Sequence, residues 1–204
     1  MAKAKYSMSF STGGLYHQKS VKVARLYFES KDWVKVRETI MQKNILQTRT
    51  LASAKRISRE ICSRLKLLTD QELRVLIEGP FKDQAYILWL AVCRRYRFIY
   101  EFAVEVLREK FLTFQHELNY EDYDAFFNTK ASWNEKLDRI SDSTQKKLRQ
   151  VLFKILREAG LLTRENSIIP AILSSDVIKA VENRSRKDFS VFPVAESDLK
   201  EWAK

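Results

Sequence analysis

Glycine and proline are nearly missing from this chain, with four and three residues respectively among 204. Folds dominated by β-sheet need many tight turns, and tight turns draw on those two residue types. Their scarcity argues against such folds and favours long helices joined by short connections. Cysteine is as sparse. Cys62 and Cys93 each fall in an apolar stretch of helical periodicity, which suits small core residues better than a disulfide or a metal pair. The two histidines, His17 and His116, lie far apart, and there is no HExxH, no CxxC and no phosphate-cradling glycine loop. The one acidic knot, Glu121, Asp122 and Asp124, has aromatic neighbours and fits the charge preferred at a helix N-terminus. Nothing assembles a nucleophile, a base and an orienting group. The chain is therefore expected to be no enzyme, with no metal, no cofactor and no small-molecule substrate.

Long apolar runs are missing too. Met1–Leu15 lacks the apolar core of a signal peptide. The most apolar stretch, Ala85–Cys93, ends at Arg94-Arg95 and is far shorter than the roughly 20 residues a membrane span needs. No membrane association and a cytoplasmic location are the resulting expectations.

What the chain does have is apolar mass and segregated charge. Apolar residues make up 45% and aromatic residues 12%, enough for a sizeable core and against disorder outside the termini. The net charge of +11 is not spread evenly: residues 1–68 hold 15 Lys/Arg against four acids, and the remainder is balanced. Unneutralised cations held together cost folding energy unless a polyanion meets them. A nucleic acid is the leading partner by that reasoning. An acidic protein and an anionic membrane surface are the alternatives.

Periodicity and caps predict an all-α, multi-helix bundle. Residues 1–15 read as a flexible arm with a hinge at Gly13-Gly14. A helix is expected from His17 to Glu29 and a second from a Ser30 cap to Asn44. A third runs over Leu51–Leu68 from a Thr50 N-cap, and a fourth opens on the capping box Thr69/Glu72 and stops at Gly79-Pro80. A long helix over 83–112 follows, apolar nearly all round in its first half and ion-paired in its second, where Arg97 and Glu101 are one turn apart. Residues 113–119 are a candidate boundary. Beyond it, Ser132/Glu135 read as a further capping box, and an amphipathic helix spans 144–159 with Gly160 as its left-handed C-cap. Next come a short β-prone piece at 167–171 and a last helix from a Ser175 cap to Asn183. Helix, β-prone excursion and helix follow the order of a winged-helix element, although a plain bundle fits equally well. The resulting division is a 1–15 arm, a basic nucleic-acid-binding half at 16–112, a helical, winged-helix-like half at 120–183 and a 184–204 tail.

The third helix carries the functional signal. Ala54, Ile57, Ile61, Leu65 and Leu68 share an arc of about 80°, and Lys55, Arg56, Arg59 and Lys66 share about 100° on the other side. Arg49 and Arg64 add charge at the margins, Lys19 and Lys22 extend it from the first helix, and Ser58 and Ser63 offer short hydroxyls to a phosphate. Glu60 is the sole acid at the edge of that face. Such a helix can lie against a groove with its arginines on phosphates or guanine edges. A solvated face on an ordinary bundle helix is the alternative. Lys146, Lys147 and Arg149 sit unfavourably near a helix start, an arrangement that a phosphate partner could offset.

Several stretches resemble the BrxA family, the small accessory proteins of bacterial BREX phage-defence loci. They are Ser11-Thr12-Gly13-Gly14 before a helix, Asp32-Trp33, Asn44-Ile45-Leu46-Gln47-Thr48-Arg49-Thr50 leading into Ala54-Lys55-Arg56 and Arg64-Leu65, and Leu156-Arg157-Glu158-Ala159-Gly160-Leu161-Leu162. The resemblance covers nearly the whole chain and contains no catalytic signature. It implies an all-helical fold similar to the antitermination factor NusB, winged-helix character toward the C-terminus, double-stranded DNA binding, phage resistance, and other BREX proteins as partners. A NusB-like RNA binder and a scaffold for an acidic protein are the competing readings.

Overall fold

The computed structural model describes residues 6–11, 13–195 and 197–198. Among them the fold is all-α. Eleven α-helices run in order: α1 (His17–Ser30), α2 (Trp33–Gln42), α3 (Leu51–Leu65), α4 (Asp70–Glu78), α5 (Phe81–Arg95), α6 (Arg97–Phe102), α7 (Glu109–Leu112), α8 (Tyr120–Ala131), α9 (Glu135–Asp138), α10 (Asp142–Glu158) and α11 (Ser175–Glu182). A π-helical stretch, Ala103–Arg108, links α6 to α7, and a 3₁₀ turn, Arg186–Val191, follows α11.

Local chemistry sets most boundaries. The Thr50 side chain accepts from Ser53 N at the start of α3, and Thr69 and Glu72 exchange hydrogen bonds at the start of α4. Each satisfies backbone amides that the first helical turn leaves free. α2 is capped by Asp32 rather than Ser30, because the aspartate carboxylate accepts from Val34 N and Lys35 N. Ser174, one residue earlier than expected, caps α11, and Asn134 rather than Ser132 caps α9. The Asp122 carboxylate accepts from Asn119 N at the start of α8, so part of the acidic knot does serve a helix N-terminus. Gly160 closes α10 at φ 71°, where a Cβ would be strained.

The long helix expected over 83–112 is broken at Tyr96, whose extended backbone (φ −121°, ψ 96°) separates α5 from α6. Tertiary packing decides this. Tyr96 is fully buried, its ring lies edge-on to Phe10 at 5.2 Å, and its hydroxyl donates to Glu60 at 2.6 Å. α5 is the central element, with ten of its fifteen residues buried, and it packs against α1, α3, α4, α10 and α11.

Both ends of the described chain are docked. Phe10 and Leu15 are in the core, Tyr6 packs edge-on to Phe98, and Leu15 N donates to Glu158 at 2.5 Å. The described residues of this segment, 6–11 and 13–15, thus strap across the bundle. Phe189, Val191, Phe192 and Val194 are likewise buried, and Trp89 Nε1 donates to Val191 O at 2.9 Å. The ends of the expected arm and tail, residues 1–5 and 199–204, lie outside the described residues.

Residues 113–119 do not separate two cores. Leu118 N donates to Asn166 O, Ile168 N donates to His116 O, and one continuous cluster of buried side chains runs from Phe10 to Val194. Two isolated antiparallel bridges, Glu117↔Ser167 and Leu162↔Ile168, place residue 167–168 backbone between segments 116–118 and 161–163. No helix among the described residues is long and apolar enough to cross a membrane.

Candidate nucleic-acid interface

α3 packs against α1, α2 and α5, so its buried side is fixed on three fronts. Ala54, Ile61, Leu65 and Leu68 are buried as their spacing predicts, and Ile57 is half-buried. The buried face is wider than an apolar arc alone, because Ser58, Cys62 and Arg64 also lie inside. Ser58 therefore faces the core and not a phosphate. Cys62 and Cys93 are buried free thiols, and burial raises both of their pKa values.

Arg64, expected at the margin of the cationic face, lies inside as well. Its side chain is 3% exposed, donating from Nε to Glu60 at 2.7 Å and from Nη1 to Gly14 O at 2.8 Å. It holds the N-terminal strap to α3 and is not part of the outer face. A helical wheel puts Arg64 at the polar margin, but the wheel contains no information about the strap that covers that margin.

The other cations expected on this face are mostly outside. Arg49, Lys55, Arg56, Arg59, Lys66 and Lys22 are exposed and Lys19 is half-buried. None of these seven forms an ion pair among the described residues. Glu60, the acid at the edge of the stripe, is drawn inward by Arg64 and by the Tyr96 hydroxyl, which burial and this hydrogen bond push up to about 12. The carboxylate that could have neutralised Arg56 or Arg59 is thus already engaged. Lys66 is braced on the Trp33 ring at 5.7 Å, and Trp33 stacks on Tyr27 at 4.2 Å.

α10 has a second exposed cationic face: Lys146, Lys147 and Lys154 are exposed, and Arg164 is exposed in the 163–167 turn. Arg149 is not available in the same way, since it pairs with Asp124 and lies over the Tyr120 ring at 4.5 Å. Sequence periodicity missed one grouping altogether. Lys22, Arg25 and Lys43 line a single cavity although they belong to α1 and to the turn after α2. No pattern within one helix could have joined them.

Chemically, these exposed cations can neutralise an anion. No group of three or more metal-ligating side chains comes together among the described residues. His17 Nε2 is spent on Gln84 at 2.8 Å, and His116 lies exposed.

An all-α body bearing an exposed, unpaired cationic stripe on a well-anchored helix defines the class: a helical protein with one strongly cationic face. Comparison with known proteins narrows this. A family model named BrxA matches residues 4–185, and the chain belongs to the BrxA family. It is 32% identical over 149 residues to a BREX protein BrxA of Bacillus cereus (strain H3081.97), covering 72% of this chain and 74% of that relative. A BREX protein BrxA of Escherichia coli O9:H4 (strain HS) is 25% identical over 186 residues, covering 84% and 87%. The fold is similar to the crystal structure of an uncharacterized protein from Magnetospirillum magneticum, with a TM-score of 0.81, 20% identity, and 93% of this chain and all of that chain covered.

Proposed function

We propose that this chain is a non-catalytic, double-stranded DNA-binding accessory component of a BREX phage-defence system, gripping phosphates with little sequence preference. The observation that carries this reading is the α3 stripe, in which Lys55, Arg56, Arg59 and Lys66 are exposed while Glu60 is turned away from them. Cations left unpaired in a folded protein are stabilised when counterions, and then phosphates, come to them. Lysines act as point charges and suit phosphates better than base edges, which favours tracking a backbone over reading a sequence.

The C-terminal half supports duplex DNA over a single strand. A short segment ahead of α8, the helix α10 and the bridged 161–169 excursion follow the order of a winged helix, in which the last helix enters a groove and the hairpin flanks it. In that arrangement Lys146 and Lys147 would meet one strand, with Arg164 at the wing tip.

The test is competition binding with duplex DNA, duplex RNA and single strands at one fixed salt concentration. Preference for duplex DNA across unrelated sequences is expected. Equal or tighter binding of RNA would favour a NusB-like role. No binding to any nucleic acid, together with nucleic-acid-free co-purification with an acidic BREX protein, would replace this reading with a scaffold.

A further inference from the structure

Between α1 and the turn that joins α2 to α3 lies an open surface cleft of about 400 Å³, within the size range of small-ligand sites. Lys22, Arg25 and Lys43 line it together with Gln47, and no carboxylate does so among the described residues. Lys22 and Lys43 are exposed and make no ion pair among the described residues. Arg25 spends one nitrogen on a long contact to Ile77 O at 3.4 Å, leaving most of its five-donor fork unused. Three like charges around one opening repel each other, and no ion pair among the described residues offsets that cost.

The wall is shaped rather than slack. Asn44 and Gln47 both stand in the left-handed region, at φ 44° and 48°. Gln47 N donates to Asn44 O at 2.8 Å and Thr48 N to Asn44 Oδ1 at 3.1 Å, and these bonds hold the turn in place. Leu26 and Ile45 give the cavity an apolar side next to its cations. Cations for charge, an amide for hydrogen bonding and aliphatic side chains for a flat apolar face match the parts of a nucleotide.

We infer that this cavity is a phosphate-binding site that takes an anion with at least two neighbouring phosphoryl groups. Two sources share that chemistry: a free nucleoside polyphosphate, and successive phosphates of a nucleic-acid backbone. The second source rests on the DNA-binding reading above, and the first does not. No bond is made or broken; the site binds.

Inorganic tripolyphosphate, ATP and a short DNA duplex are titrated into the full chain and two variants of equal net charge. One is Arg25→Ala/Lys43→Ala in the cavity and the other is Lys55→Ala/Arg59→Ala on α3. All four residues are exposed, so both variants should melt with the parent protein. The cavity variant is expected to lose about tenfold in tripolyphosphate affinity, as charge-assisted contacts imply, while the α3 variant keeps it. Duplex affinity unchanged in the cavity variant assigns the site to free polyphosphate. A duplex affinity that also falls, with the salt slope lower by about 0.9 per lost contact, assigns it to the backbone, with or without tripolyphosphate binding. Equal loss of tripolyphosphate in both variants would mean diffuse attraction and overturn the inference. So would a cavity variant unchanged toward all three ligands. If the α3 variant alone leaves duplex binding untouched, the proposed function loses its main surface while the cavity stands on the tripolyphosphate result.

Discussion

In the later two thirds of the molecule, many cations find carboxylates within the fold. Arg94 reaches Glu72 and Asp188, Lys110 reaches Asp122, and Lys130 bridges Glu101 and Glu105. Arg97, Arg139, Lys154 and Arg186 each pair with an acid one helical turn away. The first 68 residues show the opposite habit. Only Lys31 and Arg64 form ion pairs among the described cations there, and Arg64 does so inside the core. The later region uses part of its charge to hold itself together and leaves the rest outside, as at Lys146, Lys147 and Arg164, whereas the first 68 residues carry nearly all of theirs outward. A bundle that needed its N-terminal cations for stability would have paired them; leaving them unpaired is understandable if an external anion completes them.

The sharpest break in that comparison is Arg94. Its two carboxylate partners outweigh the effect of burial and keep its guanidinium above its ordinary pKa. Arg94→Met leaves Glu72, with a side chain 0% exposed, as an uncompensated buried charge. The expected cost is about 3–5 kcal/mol in denaturant unfolding, with DNA affinity of the folded fraction unchanged. A loss below about 1 kcal/mol would mean the internal network is not what holds the later region.

Tyr96 sharpens the boundary between the regions, because it joins the core to Glu60 behind the stripe. Burial, then the Glu60 hydrogen bond, push its hydroxyl up to about 12. Unfolded tyrosine titrates near pH 10, so the folded state holds this proton more tightly. The stabilisation is present below about pH 10 and is lost as pH rises to about 12, by at most about 3 kcal/mol. Tyr96→Phe should flatten that alkaline decline in a series of unfolding curves. An unchanged decline would show that Tyr96 is not its source.

The smallest effect belongs to an exposed pair. Arg186→Ala breaks the contact with Glu182, where the arginine side chain is 60% exposed, and should change stability by no more than about 0.5 kcal/mol. A larger loss would blur the distinction between buried and solvated pairing on which the comparison rests.

Much of the fold could be read from local signals. The starts of α3 and α4 follow from Thr50 and from Thr69/Glu72, and the end of α10 from Gly160, because caps act within a few residues. The break at Tyr96 could not be read in this way. Its cause is an edge-on contact with Phe10 and a hydrogen bond to Glu60, both distant in sequence. The candidate surface divides along the same line. Spacing alone put Lys55, Arg56 and Arg59 on one side of α3, since an exposed helix face depends only on the helix. It placed Arg64 wrongly because the strap that buries it arrives from residue 14. It also missed the union of Lys22, Arg25 and Lys43, which depends on how α1 meets the turn after α2.

The central claim is that the outward charge of α3 neutralises DNA phosphates. Its most direct test is the slope of log affinity against log salt for duplex DNA, compared between the parent protein and Lys55→Ala/Arg56→Ala/Arg59→Ala/Lys66→Ala. Each phosphate contact contributes about 0.9 to that slope, so the quadruple variant should have a slope shallower by up to about 3.6, with affinity lowered on every sequence tried. A folded variant whose slope and affinity match the parent would contradict the account and leave α10 with the 163–167 turn as the surface to examine.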